Sequence, residues 1–174
     1  MKLLRVGDLG KEKVAAVDKN NLIRDLSSYI DDLNPDTINF NTLTKLQKIK
    51  LEDLPEVSKN IRVGACINRP SNILCAGLNY SLHAAQTGSK LTDYPIIFNK
   101  SPDCLQGPFD SIKKNKTQEK LDYEIELAVV LGKEAKNIKE QEALDYVFGY
   151  INLNDISDRH AQKVIGSGHW TLGK

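Results

Sequence analysis

The sequence has no surplus of charge: 24 Lys and Arg stand against 23 Asp and Glu, a net of +1 over 174 residues. A chain without a basic or acidic field has no general attraction to nucleic acid or to an anionic membrane, so any partner must be recognised locally. Cysteines are few, and Cys66, Cys75 and Cys104 lie far apart with no CxxC spacing. That excludes a disulfide framework and a zinc site of the usual spacing, and it fits a reducing compartment. No stretch approaches the roughly 18 to 20 apolar residues of a membrane-spanning helix, and the N-terminus lacks the apolar run of a signal peptide. The expectation is a cytoplasmic chain with neither nucleic acid nor membrane as partner. There is no internal repeat and no low-complexity tract, although residues 113–120 form a polar, Lys-rich loop candidate.

What is present is a soluble balance. Apolar residues make up 40% and charged residues 27%, enough to build a packed core and too apolar for a disordered chain. The length suits one domain, or a small domain attached to part of a larger one. Short apolar runs at 3–6 and 14–17 read as strands, and residues 27–33 and 43–49 carry helix-like spacing. Together they predict a small α+β domain over 1–65, closing in the polar connection 51–62 around Pro55. Over 66–174 the apolar runs 73–78, 95–98 and 125–131 are separated by Gly, Pro and Lys clusters, as in strands of a buried sheet. One helix is predicted over 140–148, where Gly149 stops it, followed by a strand over 150–154. The fold class is therefore α+β, strand-dominated.

In the run DYEIELAVVLGK, strand alternation puts Asp122, Glu124 and Glu126 on one face and Tyr123, Ile125 and Leu127 on the other. Such a trio also reads as a solvated polar face. The apolar stretch 128–131 that follows argues instead that the strand enters a buried region, where unpaired carboxylates are costly. Glutamates two apart on a strand lie about 6.5 to 7 Å apart at Cα, close enough to converge on one hard divalent ion. Oxygen-only ligation favours magnesium or manganese, with calcium also compatible, over zinc. Asp155 ends the next predicted strand. Alone it reads as a turn or cap aspartate, with Ser157 as N-cap of a helix beginning near Asp158. On that helix Arg159 and Gln162 share one face, and a guanidinium there matches a substrate carboxylate; an ordinary surface ion pair is the competing reading. His83 and Gln86 share the face of a short helix capped by Ser81 and ended by Gly88. A lone histidine there is either a general base or a structural residue. The tail GSGHWTLGK reads as an active-site loop or as connecting chain.

Taken together, GLNYSLHAA (77–85), PIIFNK (95–100), DYEIELAVVLGK (122–133), ALDYVFGYINLNDISDR (143–159) and GHWTLGK (168–174) resemble the fumarylacetoacetate hydrolase family. Nearly the whole chain is covered, with most likeness to the bacterial branch labelled ureidoglycolate lyase or 2,4-diketo-3-deoxy-sugar-acid hydrolase. The resemblance implies a small N-terminal α+β domain over 1–65, then the first part of a mixed β-sheet catalytic domain over 66–174, truncated at its C-terminal end. It implies Glu124, Glu126 and Asp155 as ligands of Mg2+ or Mn2+, with Ca2+ also compatible. It implies His83 as the proton-transferring residue beside Gln86, Lys174 in the catalytic set, and Tyr80, Arg159 and Gln162 around the substrate. The implied activity is hydrolysis or lyase cleavage of a small oxo acid, diketo acid or ureidoglycolate, by a homodimer when full length. Many relatives carry a glutamate where this chain has Gln86, and an amide cannot accept a proton. A non-catalytic remnant or binding protein that keeps the fold is therefore the alternative.

Overall fold

Residues 1–90 and 92–174 are described by the computed structural model. In chain order the strands are β1 (Lys2–Val6), β2 (Lys13–Val17), β3 (Ile23–Asp25), β4 (Ile73–Gly77), β5 (Ile96–Lys100), β6 (Leu121–Asp122), β7 (Ile125–Leu131), β8 (Val147–Asn154) and β9 (Ser157–Asp158). The α-helices are α1 (Phe40–Gln47) and α2 (Ser81–Gln86). The class is the strand-rich α+β one read from the sequence. Two compact units divide the chain: residues 1–70, 105–112 and 126–153 form one, and 71–104, 113–125 and 154–174 the other. The first crossing falls after residue 70, and the two units then share the remaining chain in alternating segments.

In the first unit β1, β2 and β3 form an antiparallel sheet with Leu4 opposite Ala15 and Ala16 opposite Arg24. The small apolar run of β2 is fully buried at Val14, Ala15 and Ala16, and the core completes with Leu26, Ile30, Leu33 and Leu46. Asn39 caps α1 by accepting a hydrogen bond from the Thr42 amide at 2.9 Å, which starts the helix three residues before the predicted 43. Its inward face carries Leu46.

The predicted helix over 27–33 is not one. Leu26, Ile30 and Leu33 are buried at helical spacing, but the backbone between them is a series of turns. Asp25 takes the Ser27 amide at 2.7 Å, and Asp32 takes the Leu33 amide at 2.8 Å. Aspartates that bond nearby amides offer the backbone a rival to helical pairing, and here they win. A second correction concerns 140–148: a 3-10 helix spans Glu140–Tyr146 and strand β8 begins at Val147. Val147 and Phe148 are β-formers, and the pairing of β8 with β7 claims them. A third concerns burial. Glu126, Ala128 and Val130 face the better-covered side of β7, while Ile125, Leu127, Val129 and Leu131 are exposed. The apolar run is therefore one-sided, whereas the sequence read it as buried on both faces.

In the second unit β4 and β5 pair antiparallel, with Cys75 opposite Phe98 and Gly77 opposite Ile96. Gly77 is required by a neighbour: a Cβ there would lie 2.3 Å from the Trp170 ring. β6 and β9 pair antiparallel, placing Asp122 opposite Ser157. Two expected caps change hands. Tyr80, without a side-chain bond, occupies the N-cap of α2, and Ser81 is already its first helical residue. Ser157 is a buried strand residue, whereas Asp158 accepts from the amides of His160 and Ala161 at 2.9 and 3.3 Å and opens the helical turn that continues as a π-helix over Ala161–Ile165. Among the described residues no helix is long and apolar enough to cross a membrane.

Candidate functional site

The carboxylate run does not form one strand. β6 ends at Asp122, β7 starts at Ile125, and Tyr123 and Glu124 lie between them. This break divides the three acids. Asp122 and Glu124 belong to the second unit, and Glu126 to the first.

Within the second unit Glu124 and Asp155 are brought side by side by backbone bonding. The Asp155 amide donates to the Glu124 carbonyl at 2.8 Å, and the Glu124 amide donates to the Asn154 side chain at 3.2 Å. Both carboxylates then reach the same ammonium: Lys174 Nζ lies 2.6 Å from Glu124 Oε2 and 2.8 Å from Asp155 Oδ2. The second oxygen of each acid is held elsewhere. Asp155 Oδ1 accepts from Lys100 Nζ at 2.6 Å, and Lys100 also donates to the Ile156 carbonyl at 3.1 Å. Glu124 Oε1 accepts from Arg159, whose Nε donates to Asp122 at 2.9 Å and whose NH1 reaches the Gln162 side-chain oxygen at 3.2 Å. Three cations thus meet three carboxylates in one network.

The centre of the network is well removed from water, while Asp122 at its rim is exposed. Asp155 and Gln162 are each 3% exposed, and the Lys174 side chain 2%. Burial alone would push the Asp155 carboxyl up, but hydrogen bonds from Lys100 and Lys174 outweigh it and hold the group below its ordinary value. Burial likewise works against the Arg159 charge, and its bonds to Asp122 and Glu124 more than compensate. Arg159 in turn lowers the Asp122 carboxyl. Gly173 lets the chain end approach: a Cβ there would lie 2.5 Å from the Gln162 amide. Phe98 packs beside the cluster, its ring 5.0 Å from Lys174 Nζ and 5.5 Å from the ring of Trp170. A hollow of about 430 Å³ lies along Ile96–Asn99 and Gly168–Thr171.

The structure therefore gathers Glu124, Asp155, Arg159, Gln162 and Lys174. Tyr80, His83 and Gln86 sit on and before α2, exposed, and their side chains take part in none of the cluster's hydrogen bonds among the described residues. No group of three or more His, Cys, Asp and Glu side chains among the described residues is arranged to hold a metal ion. What does fit a cation is the pair: two carboxylates each turn one oxygen to a single positive point, the donor set a hard divalent ion prefers. Lys100 is the residue that sequence reasoning missed. The signal was there, since Lys100 shares the half-buried face of β5 with Ile96 and Phe98. A lysine continuing an inward apolar stripe needs a buried acid.

The sequence profile of the family described as fumarylacetoacetate (FAA) hydrolase C-terminal matches residues 72–174. A Burkholderia ambifaria protein named "Putative hydrolase" is 43% identical over all 174 residues, which cover 61% of its own length. The chain thus spans about three fifths of the curated relatives it matches. Among solved structures, fumarylacetoacetate hydrolase from psychrophilic Exiguobacterium antarcticum superposes with a TM-score of 0.82 at 28% identity, over 100% of this chain and 61% of that one. Maleylpyruvate hydrolase from Sphingobium sp. SYK-6, solved with manganese(II) and pyruvate, shares the fold with a TM-score of 0.73 at 20% identity, over 91% and 60%.

Proposed function

The chain belongs to the fumarylacetoacetate hydrolase family, and on that premise we propose that it contributes the cation-binding half of a divalent-metal-dependent hydrolase or lyase acting on small oxo acids, diketo acids or ureidoglycolate. The observation that carries the reading is the convergence of Glu124 Oε2 and Asp155 Oδ2 on one buried positive point. Glu124 and Asp155, with Glu126 as third ligand, would hold Mg2+ or Mn2+. The manganese and pyruvate of the Sphingobium protein support a divalent ion and an oxo acid on this fold. A divalent cation held there would supply Lewis-acid polarisation of an oxo-acid substrate.

The chain's own residues account for the remaining tasks. Arg159, held by Asp122 and Glu124, and the buried Gln162 present donors in fixed directions, suited to a substrate carboxylate. Lys174 adds positive charge in a site that excludes water, where it acts more strongly than in solvent. His83 serves as the proton-transferring group, with Gln86 orienting its ring and Tyr80 at the substrate edge. The hollow beside Phe98 and Trp170 gives room for an apolar substituent.

The test is an assay of the purified protein on acylpyruvates, oxaloacetate and ureidoglycolate with Mg2+ or Mn2+, and with chelator. Cleavage that needs the cation and is lost in Asp155→Ala supports the reading. Gln86, in the place of the glutamate of many relatives, favours a second one, a binding protein without turnover. Absence of cleavage on the whole panel, together with cation-dependent binding of pyruvate, would select that second reading.

A further inference from the structure

The two lysines of the cluster are bound differently. Lys100 extends from strand β5, spans Asp155 Oδ1 and the Ile156 carbonyl, and so ties the carboxylate to the main chain. Among the described residues, Lys174 Nζ donates to one oxygen of each carboxylate, Glu124 Oε2 and Asp155 Oδ2, and lies 5.0 Å from the ring centre of Phe98. Arg159 does for Glu124 what Lys100 does for Asp155, occupying the outer oxygen while anchored on Asp122 and Gln162. Each acid is left with one inward oxygen, and both inward oxygens are spent on Lys174.

From this arrangement we infer that Lys174 is an exchangeable internal counter-ion, displaced from Glu124 and Asp155 when a divalent cation binds, while Lys100 and Arg159 are positioning residues that stay in place and leave each acid a single oxygen to give. The inference rests on the proposed cation site and adds the order of events at it. Even with Lys100 and Arg159 on their outer oxygens, the two inward carboxylate oxygens would repel at this burial without a positive charge between them. The ammonium keeps them together until the ion arrives. One cation must leave for the other to enter, because both need the same two oxygens. The Phe98 ring offers the released ammonium a favourable face close by.

The consequence is that Lys174 weakens cation binding even though it lies at the site. A site blocked about nine-tenths of the time binds roughly tenfold more weakly than the open one. Titrating Mn2+ into the full chain by calorimetry should therefore give Lys174→Met an affinity about tenfold or more above wild type. Lys100→Met should bind Mn2+ roughly tenfold or more weakly, as for other residues that orient a metal ligand, and Lys100→Arg should restore it. Equal or weaker Mn2+ binding by Lys174→Met, with wild type binding normally, overturns the inference and leaves the cation site standing. No Mn2+ binding by any folded variant, wild type included, removes the cation site itself. A second measurement needs no variant. With 15N-labelled lysine, the buried Lys174 ammonium resonance should be present without metal and lose its protected position at saturating Mg2+. An unchanged resonance at saturation overturns the exchange.

Discussion

Each unit of the molecule buries a network of charges, and the two are built from different cations. In the first, Arg5 donates to Asp32 at 2.5 Å and to the Ala65 carbonyl at 3.2 Å, while Arg62 joins Asp110 at 2.6 Å, Glu12 at 2.7 Å and the Gly7 carbonyl at 3.2 Å. Asn68 adds a bond to Asp32 at 2.6 Å. Here planar guanidinium forks tie several chain segments to one another, and every partner is protein. In the second, two lysine ammoniums flank Asp155. A fork fixes geometry through several directed donors, whereas an ammonium is a point charge on a flexible stem. The lesson is that buried ion pairs differ in how tightly they fix geometry: arginine forks tie segments of the first unit together, while the second unit relies on two lysine point charges beside Asp155.

The largest effect should come from Asp155. Asp155→Ala leaves two buried ammoniums without their shared acid, and unfolding in urea should show a loss of about 3–5 kcal/mol. A loss below about 1 kcal/mol would mean that the lysines find water easily and that the cluster is not sealed. Next comes the apolar core of the first unit. Leu26→Ala, at a fully buried position, should cost about 2–5 kcal/mol by the same measurement, and a smaller value would show that the turns over 27–33 collapse to fill the space.

Arg5→Lys tests the fork. A lysine keeps the charge but cannot reach Asp32 and Ala65 together, so a loss of about 1–2 kcal/mol is expected. Lys100→Arg in the other unit should cost less, because only its carboxylate and carbonyl contacts must be kept. Equal losses would erase the contrast between the two networks.

Acid should weaken both networks, since Asp122 and Asp155 of the second unit are held below their ordinary values as well. Burial pushes the carboxyls of Asp32 and Glu12 up, but the bonds to Arg5, Asn68 and Arg62 prevail and hold both below their ordinary values of 3.8 and 4.5. On acidification the unfolded chain takes up protons before the folded one, so stability falls as pH falls. Urea midpoints should stay flat above about pH 5 and drop below it as the ordinary and then the lowered values are passed. Arg5→Met should flatten the drop, and an unchanged slope would show that Arg5 does not set it. The smallest effect belongs to the surface: Lys50 and Asp53 pair at 3.3 Å with side chains 72% and 65% exposed. Lys50→Ala should shift stability by less than about 0.5 kcal/mol.

Much of the frame was legible in the residues. β1, β2 and β7 lie where apolar runs and alternation put them, and Arg159 and Gln162 meet as three-residue spacing on a helical turn requires. The failures share a cause. The spacing of Leu26, Ile30 and Leu33 mimics a helix, yet Asp25 and Asp32 spend their oxygens on nearby amides and bend the chain into turns. Residues 140–148 lost their expected helix because Val147 and Phe148 found a partner in β7. Ser157 looked like a cap because nothing local revealed that Asp122 would stand opposite it.

By itself the sequence determined the class of the fold, the family, and Glu124, Asp155, Arg159, Gln162 and Lys174 as candidates, but not Lys100. These depend on residue type and short-range spacing, which a linear chain carries in full. Only the tertiary structure decided which charges meet. It broke the strand between Asp122 and Ile125, brought Lys100 to Asp155 across 55 positions, and placed Lys174 between two carboxylates. An ion pair is formed by distance in space, and that distance is set by how strands pair and where a chain breaks, which no local pattern records.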